Sequence, residues 1–148
     1  LIHLAAAYAA GVGAKPAVVI DIGGGSVEIT LGTAARMQLG ESFKIGVIRL
    51  TERFVTSDPL SRGDATRMVR HIRRQTAAHL RAIGKRGFAR VIGTSGTIHA
   101  LGALAIDRAR AGADLRNRRI PAKAFSRVRQ QLTSLTINER LALPGLDP

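Results

Sequence analysis

Three consecutive glycines, Gly23-Gly24-Gly25, sit between two short β-type runs, and no other feature limits the fold of this chain so tightly. Before them, Ala17 to Ile22 (AVVIDI) is dense in β-branched residues, the pattern of a buried strand. After them, Val27 to Leu31 (VEITL) alternates, with Val27, Ile29 and Leu31 on one face and Glu28 and Thr30 on the other. Because the glycines link two strands, they predict a hairpin loop rather than a strand-to-helix turn. Gly32 to Ala35 turns the chain again, and Arg36 to Ile45 completes a predicted antiparallel meander of three strands.

Helical signals dominate the rest. Leu1 to Ala10 is Ala-rich and stops at Gly11 and Gly13. Gly46 to Phe54 reads as a short helix. Ser61, with Asp64 three residues on, opens a longer one as a variant of the capping box. In it Met68, Val69, Ile72, Leu80 and Ile83 recur at helical spacing, while Arg67, Arg70, Arg73, Arg74 and Arg81 lie mostly on the remaining faces. Phe88 to Ile92 is a fourth predicted strand, placed beside the first. Gly93 to Thr97 is a second small-residue loop, and Ile98 to Ile106 continues as a helix. Arg108 to Arg119 is a basic connector. Pro121 takes the first position of a further helix, and Thr136 with Glu139 makes a capping box before a last short one. One short β run, two hairpin turns and then alternating helix and strand give an α/β fold, a mixed sheet flanked by helices.

Length and composition fit that reading. The 148 residues suit one domain, and 45% apolar residues supply a core. Aromatics are only 3%, so aliphatic side chains fill it. No apolar run nears the roughly 20 residues that span a bilayer, and no membrane partner is expected. The apolar start lacks the basic flank of a signal peptide. With no Cys, disulfides, thiolate nucleophiles and zinc–thiolate sites are excluded, and a cytoplasmic location is expected. The net charge is +13, with 19 Arg beside Lys15, Lys44, Lys85 and Lys123. Such a surplus attracts polyanions in general. It is equally read as a coding bias with solvated side chains.

The chemistry-bearing stretch is Asp21-Ile22-Gly23-Gly24-Gly25-Ser26-Val27-Glu28. Glycines lack a Cβ to block a close anion, and their N–H groups can converge into an anion-binding nest. Ser26 adds a hydroxyl donor. Asp21 and Glu28 place carboxylates beside that nest, where a divalent cation would separate them from phosphate. A plain glycine turn is the simpler alternative. The second loop, Gly93-Thr94-Ser95-Gly96-Thr97, follows a strand and opens a helix, whose N-terminus favours anions. Its alternative is a turn capped by Ser95 or Thr97. Both loops follow strands placed as neighbours, so both are expected at one edge of the sheet.

DIGGGSVE, GVIRLTERF, VIGTSGTIHALG and LALPGL, in that order, resemble landmarks of the exopolyphosphatase/guanosine pentaphosphate phosphohydrolase family. The resemblance implies a ribonuclease-H-like lobe of the actin and hexokinase superfamily, and specifically the second lobe of a two-lobe phosphatase. It implies Mg2+ as cofactor, with Asp21 and Glu28 catalytic and metal-holding. Gly23, Gly24, Gly25 and Ser26, together with Gly93, Thr94, Ser95, Gly96 and Thr97, would bind phosphate. The substrate would be polyphosphate or guanosine pentaphosphate. Residues 1–148 are expected to be one domain, truncated at both ends and inactive alone. The missing partner is the first lobe, and a catalytic glutamate is expected just upstream of Leu1. The full-length protein is open to pairing as a homodimer. A polyanion- or RNA-binding module and a superfamily kinase lobe are the alternatives.

Three histidines carry weaker signals. His71 and His79 lie eight apart on one helix, outside the usual spacing of a metal pair, and read as ordinary helix residues. His99, one turn past the second loop, reads as a packed histidine. Tyr8 and four Phe are too few for a base-stacking platform.

Overall fold

The computed structural model describes residues 2–106 and 116–143. Helix α1 (Ile2–Ala9) precedes strands β1 (Ala17–Ile22), β2 (Val27–Gly32) and β3 (Met37–Phe43). Helices α2 (Val47–Phe54) and α3 (Arg62–Arg86) lead to β4 (Arg90–Thr94), and then come α4 (Gly96–Ala105), α5 (Ala122–Ser134) and α6 (Ile137–Leu141). The strands form one sheet in the order β3-β2-β1-β4. β2 is antiparallel to β1 and β3, while β4 runs parallel to β1. The predicted meander and the placement of β4 beside β1 are both present.

Each face of the sheet buries a different kind of surface. On one, Val18, Val27, Ile29, Leu31 and Phe43 pack with Ile45 and Ile83, joined at the edges by Leu50 of α2 and Ile72 of α3. Leu31 is fully buried and Val19 nearly so; burying an aliphatic side chain of this size contributes about 1.5–3 kcal/mol. On the other face the Ala-rich helix α1 lies close, with Ala7, Val12 and Ala17 as its buried centre. α4 also packs on β1 and β4, and α5 packs on α4. Among the described residues no helix is long and apolar enough to cross a membrane.

Two buried histidines fasten helices to the sheet. His79 of α3 reaches the Ile29 carbonyl with Nε2 at 2.8 Å and Glu41 Oε2 with Nδ1 at 3.2 Å. It is a cross-link between α3 and the sheet, not an ordinary helix residue. His3 of α1 meets the Thr30 hydroxyl at 2.7 Å, and that hydroxyl donates to Val19 O at 3.4 Å. A hydroxyl has one proton, so His3 Nδ1 is the donor of the pair. His3 Nε2 is buried without a partner, and burial first of all holds its pKa below the ordinary value.

Several boundaries differ from the sequence reading. The fourth strand runs Arg90–Thr94 rather than Phe88 to Ile92. Gly87 caps α3 at φ 73, and Ala89 N–H first spends itself on Pro16 O at 2.9 Å. The ladder therefore starts at Ala17↔Arg90, and Arg90 fixes that start by donating to the carbonyls of Ala10 and Gly11. Gly93 and Thr94 consequently belong to the strand, and α4 begins at Gly96, two residues earlier than its pattern suggests. Pro121 stands just outside its helix as the N-cap, with extended ψ of 141°. At α3, Ser61 accepts from Asp64 N–H at 3.0 Å, but the Asp64 carboxylate turns to Thr56 and Ser57 instead of completing the box. The box at Thr136 and Glu139 is complete. His99 is exposed rather than packed. Most of the basic connector, residues 107–115, and the terminal 144–148 lie outside the described residues.

Candidate functional site

The ladder registers set the candidate site. Asp21 pairs with Glu28 on one side and with Thr94 on the other, and Glu28 pairs in turn with Ser42. Residues directly opposed across strands share a face of the sheet. Ser42, Glu28, Asp21 and Thr94 therefore form one row across all four strands, at the end from which both small-residue loops leave. The two carboxylate residues are cross-strand neighbours, with Cα atoms about 5 Å apart. Because β4 is parallel to β1, the glycine hairpin and the start of α4 emerge at the same end of the sheet. The expected common edge is thus present.

The hairpin is held by its carbonyl side. Gly23 N–H closes the turn on Ser26 O at 2.9 Å. The N-terminus of α2 then takes the loop carbonyls: Val47 N–H donates to Gly23 O and Ile48 N–H to Gly24 O, both at 3.0 Å, and Gly46 N–H to Gly25 O at 3.3 Å. Helix N-termini carry unsatisfied donors, and here those donors fix the loop. Among the described residues the amides of Gly24, Gly25 and Ser26 make no hydrogen bond. The close approach requires glycine at position 46, where a Cβ would stand 2.4 Å from Gly24 O.

The carboxylates differ in their surroundings. Ser42 Oγ donates to Glu28 Oε1 at 2.5 Å. Hydrogen bonds from Ser42, and next from Ser26, hold the Glu28 carboxyl below the usual carboxylate range. Asp21 is half-buried, and among the described residues it has no side-chain hydrogen bond or ion pair. Beside it, Thr94 Oγ1 is buried and likewise without a partner.

The second loop contains one strained residue. Ser95 has φ 90 and ψ 161, a region that side chains rarely adopt, and such a conformation costs on the order of 1–3 kcal/mol. Its hydroxyl accepts from Ile98 N–H at 3.4 Å, capping α4. Gly96 and Thr97 form the first turn beyond it. Gly93 admits the close packing of α4 on β4, because a Cβ there would meet Ile98 Cγ2 at 2.5 Å. Of the sequence-read residues, Asp21, Glu28 and Thr94 stand in the row, and Gly23 to Ser26 and Ser95 to Thr97 stand at its end. Gly93 lies one step back, paired with Ile20.

Sequence reasoning missed two neighbours. Ser42 was legible only as part of a third strand, since its role depends on register. Arg49 sits in α2, and its Nε lies 3.9 Å from where a Cβ on Gly25 would stand. The docking of the hairpin on the helix creates that contact.

The model for the Ppx/GppA phosphatase family matches residues 1–148. The chain belongs to that family. It is 34% identical over 134 residues to exopolyphosphatase 2 of Mycobacterium tuberculosis (strain ATCC 25618 / H37Rv), covering 90% of this chain and 42% of that protein. An exopolyphosphatase from Cytophaga hutchinsonii ATCC 33406 has a similar structure, with a TM-score of 0.82 at 28% identity over 98% of this chain and 49% of that one. The Aquifex aeolicus PPX-GPPA enzyme shares the fold, with a TM-score of 0.81 at 22% identity over 98% and 47% of the two chains. The ribonuclease-H-like α/β fold read from the sequence is therefore the fold of this chain. The chain spans less than half the length of these relatives.

Proposed function

We propose that this chain is the second, phosphate-binding lobe of a phosphatase that hydrolyses the terminal phosphoanhydride bond of polyphosphate or guanosine pentaphosphate. The observation that carries the reading is the row Glu28–Asp21–Thr94, which brings two carboxylates and an unpartnered hydroxyl to the end of the sheet where both loops emerge. Membership of a phosphatase family supports the reaction class.

The unengaged amides of Gly24, Gly25 and Ser26 would receive the oxygens of the terminal phosphate, with the free N–H groups of the α4 first turn opposite them. Preformed donors of this kind lower the barrier by stabilising charge as it develops on the transferred phosphoryl group. In the reaction, water adds to the terminal phosphorus, the bond to the bridging oxygen breaks, and the shortened chain departs with that oxygen and the bond's electron pair, leaving orthophosphate as the second product. The proton from water would go to a base on the first lobe or at the junction upstream of Leu1.

The residues fit a Mg2+ ion. Two neighbouring carboxylates form a hard, anionic oxygen pair, and Mg2+ is commonly bound through one or two carboxylates plus substrate phosphates. Asp21 and Glu28 would hold it, the low pKa of Glu28 keeping that carboxylate charged. Such an ion neutralises phosphate charge and orients the substrate. Ser42 and Ser26 orient Glu28, and α2 fixes the hairpin.

Asp21→Asn and Glu28→Gln test the proposal in the full-length polypeptide. Each is expected to lower kcat on the order of a thousandfold while leaving the melting temperature near that of wild type. Wild-type turnover across a Mg2+ titration in both variants would end the assignment.

A further inference from the structure

A second basic feature adjoins the glycine hairpin. Lys44, Arg49, Leu50, Glu52, Arg53 and His71 line a cavity of about 350 Å3 between α2 and the third turn of α3. Three cations converge there with one acid. Among the described residues none of Lys44, Arg49 and Arg53 has an ion-pair partner. Arg49 and Arg53 are one helical turn apart and share a face of α2, where like charges repel. Arg53 lies 5.4 Å from the ring centre of Phe54, and the His71 ring centre lies 5.2 Å from it. Arg49 links the cavity to the hairpin, since its Nε lies 3.9 Å from where a Cβ on Gly25 would stand.

We propose that this cavity is an anion subsite, which receives a phosphate group further along the substrate than the one held by the hairpin. The inference rests on the reading that the hairpin binds the terminal phosphate. Guanidinium groups match phosphate oxygens in a two-pronged geometry, and an anion would offset the mutual repulsion of the three cations. The charged groups around His71 agree. Lys44 comes from the segment after β3, Arg49, Glu52 and Arg53 from α2, and Arg74 from α3. Burial first, then Arg53 and Arg74, hold the His71 pKa below its ordinary value. An anion in the cavity counters the two arginines and draws that pKa upward. The shared chemistry is an inner phosphoryl group of a phosphoanhydride chain, inorganic or attached to a nucleoside.

The test is calorimetric binding to the full-length polypeptide, with inorganic tripolyphosphate, guanosine triphosphate and orthophosphate as separate probes. The double variant Lys44→Gln/Arg53→Gln should weaken tripolyphosphate binding at least about tenfold, with orthophosphate binding unchanged. An equal loss for guanosine triphosphate assigns the cavity to any triphosphate, and a loss for tripolyphosphate alone assigns it to the inorganic chain. In wild type, NMR should show the His71 pKa rising when tripolyphosphate is added. Wild-type tripolyphosphate affinity in the double variant, an equal loss of orthophosphate binding, or a static His71 pKa would each overturn the subsite. Hydrolysis by the Asp21 and Glu28 variants is read independently. If those variants turn over normally while the Lys44/Arg53 pair still governs binding, the catalytic assignment of the two carboxylates falls and the anion site stands.

Discussion

At the scale of residues, Gly46 is the position where one added carbon does most. A methyl there would drive into the backbone of Gly24 and Gly25, and neither side is a flexible side chain that could yield. Gly46→Ala should cost about 1–3 kcal/mol by overpacking. It should also lower turnover of the full-length polypeptide, because the displaced atoms belong to the candidate phosphate loop. Melting temperature and kcat together check this: loss of stability with unchanged kcat would show that the loop does not depend on its seat. Residue identity alone revealed the carboxylates, the glycines and the hydroxyls of this site, because those types have few other reasons to cluster. It did not reveal Ser42 or Arg49. Their significance depends on which residue lies opposite which, and register is a long-range property.

At the scale of elements, α1 is tied to the sheet through a histidine that avoids charge. His3 is 4% exposed, its Nδ1 is engaged by Thr30, and its Nε2 has no partner. Its pKa lies below the ordinary 6.5, mainly through burial. The unfolded chain therefore binds more protons than the folded one as pH drops below 6.5, and stability falls with it. Above that value the effect is absent. His71, shifted in the same direction, adds to the slope. Replacing His3 with Asn keeps a donor for Thr30 but removes the titration. The melting temperature of His3→Asn should vary less between about pH 7.5 and 5.5 than that of wild type; parallel curves would refute the role of His3. The elements themselves were legible wherever a single pattern dominated: the meander, the long α3 and the box at Thr136. Boundaries slipped where tertiary contacts outvote local pattern. β4 moved two residues on because Arg90 is pinned to the carbonyls of Ala10 and Gly11, which no local window contains.

At the scale of the whole molecule, charge and fold act separately. The surplus of +13 acts on any polyanion near the surface, whereas in the proposed function the row at the sheet end acts on one phosphate. Affinity for tripolyphosphate should therefore fall steeply as salt rises from roughly 50 to 500 mM, as the screening length shortens. The ratio of kcat between wild type and Glu28→Gln should hardly change over that range. A ratio that collapses with salt would mean that the carboxylate matters only through the general field.

The parallel pairing of β1 with β4 also separates the two halves of the cleft in time. The hairpin and its flanking strands are neighbours in the chain, so little loop entropy opposes their meeting. The α4 side is reached only after the 25-residue helix α3 has been traversed and β4 has found β1. Contacts of that range form slowly. If the proposed function holds, a nascent chain owns an anion-binding turn before it owns a pocket, and selectivity for a phosphate chain over any passing anion is the last property it acquires.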